Sequence, residues 1–600
     1  MVRRLLLLAL IVTLGFLLRF VYLGSVPAGF TPDEANQGYA AHSLLKTGLD
    51  EWGLRLPLTS FRAFADYRAP LQTYLIVPSV ALFGLSEFAV RLPSAIFGTL
   101  AIIAVYLLAN KLFPKTPQGW PKELPWGEIN IGHLAALFVA ISPWSIQFSR
   151  TALEANFASF LFPLGLLFFL KGVRGNSRLL LLSAVVLGLD LYSYLAAKLF
   201  VPLFILAYLI TSRRQITKDG LRRLLPFLIV FTLFAAPLYI DALFGPGNVR
   251  GKDLAITNFS LGNLTTISNE QYFSPLNTIS PQLSRIFSNK IVFTFQRFIG
   301  NYVSYLSPTF WFTEGGREIT YAVFPGYGLL HLWLLPLIIF AFYRLFVTKE
   351  KNLPLLLFWL FLAIIPAAIT KEGYRPNRIG SLLTFWEIIA AYGLVEIFSK
   401  ARQWKTPQGW PQGLPWGGLV SGVIILVSLV SYLNLYFFIA PAKYPSALSF
   451  GYRDLLAKIK IYSDKYTTIV FDRGSQAQIF VAFYNRLDPT EYQSSSATWC
   501  CWPKSRSTQT NTPPLFLIAA AKPRSSSLSI TGWIRLSISP LRLPGGRGLP
   551  RENSSFWICS TRIVWANIPS RPLMPVAILS PATLLSFGRK KPTPHLILIF

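Results

Sequence analysis

The stretch TPDEANQGYAAHSLL, residues 31–45, decides how this chain is read. It follows directly on an apolar run at 5–23 and sets an acidic pair, Asp33 and Glu34, just beyond it. FADYRAPLQTYL (64–75) and SEFAVRLPS (86–94) come next, and the latter opens another long apolar segment. Carboxylates beside a bilayer are costly because lipid cannot solvate them, so an acid at the membrane edge is a functional candidate by default. Here the pair lies where a lipid-linked substrate would present its head group. An enzyme is the first expectation.

Working outward, the 600 residues are 52% hydrophobic and 14% charged, with mean hydropathy +0.46. That exceeds what a soluble core needs. Apolar runs at 5–23, 88–109, 224–243, 327–345, 353–369, 379–398 and 419–439 reach or approach the roughly 20 residues that cross a bilayer. Shorter runs lie at 133–148, 157–170, 179–195 and 199–210. The pattern predicts an all-α polytopic membrane protein, with Arg3 and Arg4 opening a signal anchor. The net charge of +30 does not indicate nucleic acid, since most of the basic residues sit in short loops or in the final hundred residues. Lys and Arg in short loops are the ordinary topology signal of membrane proteins.

Topology turns on residues 71–85. If that run crosses the membrane, the basic loops after it turn outward; if it lies along the surface, they collect inside. At about fifteen residues it is short for a span. The expectation is therefore about 11 transmembrane helices with juxtamembrane helices in the first external loop. One outer face then gathers Asp33, Glu34, Arg68, Arg150, Glu154, Lys198, Arg375 and Arg378, with a long loop from about 244 to 321.

Two features stand apart. KTPQGWPKELPWG (115–127) recurs as KTPQGWPQGLPWG (405–417) with nothing repeated around it, which reads as an inserted element in cytoplasmic loops. After a transmembrane domain at 1–440, residues 441–491 read as the start of a small external α/β domain. YRDLLAKIKIYSDKY is helical by its period, and TTIVFDRG and AQIFVAFYN are strand-like. Residues 492–600 are a basic tail rich in Ser, Pro and Arg that holds Cys500, Cys501 and Cys559 and resembles an out-of-frame translation. Its cysteines therefore carry no redox or metal signal.

Each candidate residue also has a plainer role. Thr31-Pro32-Asp33-Glu34 is a helix start, with Thr as N-cap, Pro at the first position and Glu completing a capping box. Arg68 precedes a proline that suits a helix start, yet its planar fork of donors also matches phosphate oxygens. Arg150 and Glu154 have the spacing of an i,i+4 ion pair. Lys198 sits where a snorkelling lysine would, and Arg375 and Arg378 fit a solvated turn. No zinc spacing, P-loop, GxSxG or dinucleotide fingerprint is present.

Taken in order, the acidic pair, N-x-x-Y-A, the Arg68-Ala69-Pro70-Leu71 element and A-V-R-L-P-S resemble the GT-C membrane glycosyltransferases. The similarity is to the group of protein O-mannosyltransferases and ArnT-like aminoarabinose transferases. SPWSIQFSRTALEANF, GLDLYSYLAAKLFVPL, NYVSYLSPTFWFTEGGRE and AAITKEGYRPNRIGSLL extend the likeness over roughly residues 1–490. The resemblance implies Asp33 as catalytic base with Glu34 beside it, Arg68 near the donor phosphate, and Glu154 at a second acidic position. It also implies a polyprenyl-phosphate-sugar donor, an external hydroxyl acceptor on lipid, glycan or protein, and inversion at the sugar. Arg150, Lys198, Arg375 and Arg378 are the further substrate-binding candidates. Ala69 replaces the family's first proline, and Tyr67 stands where some members carry an acid, which counts against a metal site. No cofactor is certain, and a divalent metal is left open. The expected location is the plasma membrane, multi-pass, with an extracytoplasmic active site and no nucleic-acid partner. The rival readings are a non-enzymatic polyprenyl-lipid transporter or flippase and an inactive scaffold.

Overall fold

The computed structural model describes residues 2–64, 66–114, 129–173, 175–212, 218–401, 415–462, 469–472 and 476–499, with two short strands beyond them. Most of the repeated KTPQGWP element and of the tail, with all three cysteines, lies outside the described residues.

The first half is mainly a series of helices. They are α1 (Val2–Phe20), α2 (Pro32–Thr47), α3 (Leu71–Phe83), α4 (Glu87–Leu112), α5 (Ile131–Ile141), α6 (Pro143–Arg150), α7 (Ala158–Gly172), α8 (Ser177–Asp190), α9 (Leu195–Ser212), α10 (Lys218–Phe244) and α11 (Asn248–Leu254). Later apolar helices follow at Leu334–Val347, Leu353–Ala368, Phe385–Ala401 and Pro415–Asn434. Every apolar run picked out in the sequence contains a helix, though residues 327–333 ahead of Leu334 are not helical. Among the described residues four helices are long and apolar enough to cross a membrane, or up to six if each of two bent pairs is one span. The count of eleven is not reproduced by length alone. The run at 133–148 breaks at Ser142-Pro143, where α5 and α6 meet at 56°, and α8 and Leu334–Val347 have only 14 residues each. α3 has 13 residues, well short of a span.

By contacts the chain divides into two compact units, 1–453 with 479–503, and 454–478 with 504–600. The second unit holds a three-stranded sheet in which Ile469–Asp472 pairs antiparallel with Leu515–Ile518 and parallel with Leu596–Ile597. The two strand assignments in the sequence fare differently. Residues 469–472 are a strand as expected, and Tyr452–Tyr462 is the expected helix, but Ala477–Tyr484 is helical. A short apolar run fits either period, and packing decides here. Phe480 stacks on Tyr452 at 4.1 Å between ring centroids, and Phe483 meets Phe30 at 4.8 Å. Gly38 of α2 permits that approach, since a Cβ there would stand 2.7 Å from the Phe483 ring. Pro489–Trp499 then lies on α2, with Tyr492 edge-on to Tyr39 and Gln493 Nε2 donating to the Asp50 carbonyl.

Beneath the first turn of α2 lies a set of buried arginines. Arg91 of α4 pairs with Glu34 at 2.8 Å and donates to the carbonyls of Leu23, Pro27 and Gly29. Gly29 takes φ +103°, a left-handed conformation that glycine adopts without strain. Arg150 donates to the carbonyls of Leu18, Val21 and Val26 and lies 4.9 Å over Phe437. Arg19 donates to Val139 and Ala140 and to Ser145 and Ser149. Arg91 and Arg150 satisfy the carbonyls left over where α1 ends and the chain turns into α2, and Arg19 does the same for the end of α5, which buried backbone requires.

Candidate active site

The capping box read from the sequence is complete. Glu34 N–H donates to Thr31 Oγ1 at 3.1 Å, and Thr31 N–H donates back to Glu34 Oε2 at 2.9 Å. Glu34 also accepts from Arg91 and from the Ala152 amide. Both its oxygens are thus occupied, and it is 1% exposed. Asp33, one position earlier, turns the other way and is 34% exposed.

Asp33 meets a hairpin. Phe61–Ala63 pairs antiparallel with Asp66–Arg68, which puts Arg68 opposite Phe61 at the open end. Arg68 is 4% exposed; its Nη2 lies 2.9 Å from Asp33 Oδ1 and its Nη1 donates to the Asp33 carbonyl. The Tyr321 hydroxyl donates to Asp33 Oδ2 at 2.7 Å. Burial pushes the Asp33 carboxyl up, but Arg68, Tyr321 and Arg250 together outweigh it and hold the pKa below its ordinary value. Asp33 is therefore anionic at neutral pH.

Behind this pair a small cavity of about 20 Å3 is lined by Tyr67, Arg68, Glu154, Tyr194, Lys198 and Arg250 among others. Each cation arrives on a different element: Arg68 on the hairpin, Lys198 one turn into α9, Arg250 on α11. Asp241, near the end of α10, accepts from Ser60 Oγ at 3.0 Å and from the Gly247 amide at 3.2 Å, tying the hairpin side to the α10–α11 corner. Arg250 donates to the Tyr67 carbonyl and lies 3.5 Å from Asp66. Arg68 Nε and Arg250 Nε are buried without a hydrogen-bond partner among the described residues, a state that costs free energy unless a ligand supplies an acceptor. Gln37, one turn along α2 from Asp33, donates to Glu154 at 3.3 Å.

A second cavity, about 230 Å3, shares Tyr194, Leu195 and Lys198 with the first. It is walled by Leu199, Tyr239, Leu254, Pro366, Ile369 and Arg378 among others. A cationic pocket thus adjoins a mainly apolar groove, and Lys198 lines both.

Of the eight residues singled out in the sequence, Asp33, Arg68, Glu154 and Lys198 come together, and Arg378 lies at the far wall of the groove. Three do not. Glu34 is held by the cap and Arg91. Arg150 does not pair with Glu154, because α6 ends at Arg150 and its guanidinium turns to the carbonyls behind α1. Arg375 pairs with Glu318 and Glu372. The sequence reading missed Gln37, Tyr194, Arg250 and Tyr321. Gln37 was findable from its i+4 spacing to Asp33 and Tyr194 from its place beside Lys198. Arg250 is one of several basic residues in a long loop and carries no local signal.

Among the described residues no group of three or more His, Cys, Asp or Glu side chains could hold a metal ion. Cations outnumber carboxylates around the pocket, and Asp33 is already bonded at both oxygens. This donor set does not fit a divalent ion.

A family model described as dolichyl-phosphate-mannose-protein mannosyltransferase matches residues 67–240. Over that segment the chain resembles these mannosyltransferases. The matched stretch runs from the hairpin to α10 and so holds Arg68, Glu154, Tyr194 and Lys198. Solved structures similar over most of the chain include the oligosaccharyltransferase AglB of Archaeoglobus fulgidus in complex with an inhibitory peptide and a dolichol-phosphate. It aligns at 14% identity and a TM-score of 0.47, covering 84% of this chain and 61% of that one. This chain thus spans less than two thirds of the archaeal protein's length. ArnT of Cupriavidus metallidurans, bound to undecaprenyl phosphate, aligns at 15% identity and a TM-score of 0.38, covering 81% and 75%. No curated protein matches.

Proposed function

We propose that this chain is a membrane glycosyltransferase that moves a sugar from a polyprenyl-phosphate donor to a hydroxyl on lipid, glycan or protein at the outer face of the plasma membrane. The observation that carries the reading is the join at Lys198 between cationic pocket and apolar groove. An isoprenoid tail suits the groove, and its phosphate suits Arg68, Lys198 and Arg250.

Asp33 is the base. As the acceptor oxygen attacks the anomeric carbon, its proton passes to an Asp33 oxygen, the C–O bond to phosphate breaks, and the electron pair leaves with the phosphate. Attack opposite the leaving group inverts the anomeric centre. Guanidinium and ammonium donors met by the growing negative charge are the kind of preorganised stabilisation that lowers such barriers. The resting Asp33–Arg68 pair has a consequence. A phosphate that draws Arg68 toward itself loosens its hold on Asp33 and raises the basicity of the carboxylate once donor is bound. Glu154, held by Gln37 beside the same pocket, positions the acceptor or the sugar.

The test is transfer by the purified full-length chain in lipid nanodiscs, offered synthetic polyprenyl-phosphate sugars and a panel of hydroxyl acceptors, with products read by mass spectrometry. Donor consumption with an inverted product supports the reading. Transfer only from sugar nucleotides, or none from any lipid donor, overturns it.

A further inference from the structure

The segment between α10 and Tyr321 reads in sequence as one long loop, yet beyond α11 residues 261–304 fold as four helices: Leu261–Phe273, Pro275–Ile279, Pro281–Phe287 and Lys290–Ser304. The last is amphipathic in an unusual sense. Ile291, Phe295, Ile299 and Val303 recur every four residues along it and are 42–82% exposed. Its other side is fastened to the end of the apolar helix Leu353–Ala368. Arg297 donates twice to the Lys371 carbonyl, and Asn301 donates to the carbonyls of Ala368 and Thr370. The Tyr302 hydroxyl reaches further and donates to the Phe361 carbonyl at 2.9 Å. Phe361 lies seven residues before that helix ends, a descent of about 10 Å at ~1.5 Å per residue.

A polar anchor at the mouth of an apolar helix, with a tyrosine bonded well down its shaft, places the stripe beside the helix's hydrocarbon-facing surface. The neighbouring helices add Leu261, Tyr272, Phe273, Ile279 and Phe287, all at least 60% exposed. Contiguous exposed apolar surface on this scale marks an interaction face. Between 255 and 304 the only acid is Glu270, against Arg285, Lys290 and Arg297. We propose that residues 261–304 form an arm that lies in the bilayer interface, its apolar stripe among the upper acyl chains and its basic residues at the head groups, with a preference for anionic lipid. The same anchor holds the groove, because Ile256 N–H donates to the Ile369 carbonyl and Lys371 N–H to the Leu254 carbonyl. The arm thus brings the groove's 251–256 wall to the lipid. This inference rests on the helices crossing a membrane and is independent of sugar transfer.

The test uses the full chain with Cys500, Cys501 and Cys559 replaced by Ser, reconstituted in vesicles of phosphatidylethanolamine and phosphatidylglycerol. A bimane label is carried on Phe295→Cys, on Ile291→Cys as an independent second probe, or on Glu270→Cys for comparison. Lipid nitroxides placed high on the acyl chain should quench the Phe295 and Ile291 labels several-fold more than the Glu270 label, while aqueous iodide should favour Glu270. A label at Phe295 and Ile291 open to iodide would overturn the proposal. So would one shielded from both quenchers, since a protein or a second copy would then cover the face.

Discussion

Two sets of arginines lie within a few turns of each other and behave oppositely. Arg19, Arg91 and Arg150 are buried, and their guanidinium ends are occupied by backbone carbonyls, serine hydroxyls or Glu34. They close the corner between α1, α2 and α4. Arg68 and Arg250 also donate to carbonyls, and each keeps a buried Nε without a partner, as Arg150 does, but of these five arginines only Arg68 and Arg250 line the cavity behind Asp33. The adjacent acids divide the same way, Glu34 to the corner and Asp33 to the cavity. What separates a structural charge from a candidate ligand-binding one is therefore an unfilled donor in the wall of a cavity, and residue type and burial do not reveal that.

The comparison breaks most visibly if Arg91 is removed. Arg91→Met leaves Glu34 buried without its partner, which should cost about 3–5 kcal/mol and sharply reduce the yield of folded protein in detergent. The double change with Glu34→Gln should recover much of the loss. A stable Arg91→Met protein would make the corner dispensable.

Asp33→Asn keeps size and capping geometry while removing the proton acceptor. Transfer should fall by about a hundredfold or more, the usual scale for a general base, while thermal stability in detergent stays close to wild type. Near-normal turnover would reduce Asp33 to a helix-start residue. Arg250→Gln should act on the donor: loss of a hydrogen bond to a charged group, worth about 1.5–3 kcal/mol, should raise the donor KM about tenfold or more with kcat less affected. A change confined to kcat would remove Arg250 from the donor site.

The smallest effect concerns Glu51. Burial, then Asp50, pushes its pKa up from 4.5 to about 8, while its Oε1 accepts from Asn36 at 2.6 Å. The folded state thus holds a proton that the unfolded chain has released, so this group's contribution to stability falls as pH rises from about 4.5 to about 8. Glu51→Gln keeps the acceptor and should flatten that decline in pH-dependent unfolding. An unchanged slope would mean Glu51 is not the titrating group.

Much of this arrangement is legible in the sequence. The apolar runs give the helices, and Thr31 with Glu34 gives the start of α2 and so the outward aim of Asp33. Arg68 follows from its place before Pro70. What is not legible is which long-range partner each charge finds. Arg150 and Glu154 have ion-pair spacing, but a break between α6 and the turn at Glu154–Phe157 separates them. Arg250 joins the site only because Asp241 ties the α10–α11 corner to Ser60, and that tertiary contact has no local pattern. Residues 477–484 show the same limit in packing, since their apolar run fits a strand or a helix until Gly38 admits Phe483.

The central claim is that one lipid phosphate occupies both cavities, with its head among Arg68, Lys198 and Arg250 and its tail along Leu199, Leu254 and Ile369. Equilibrium binding to the purified full-length chain in nanodiscs tests it most directly, comparing a long polyprenyl phosphate with inorganic phosphate and with the uncharged polyprenol. The account predicts saturable binding of the polyprenyl phosphate alone, greatly weakened in Arg68→Ala and in Lys198→Ala. Equal binding of polyprenol and polyprenyl phosphate, or binding indifferent to both substitutions, would contradict it.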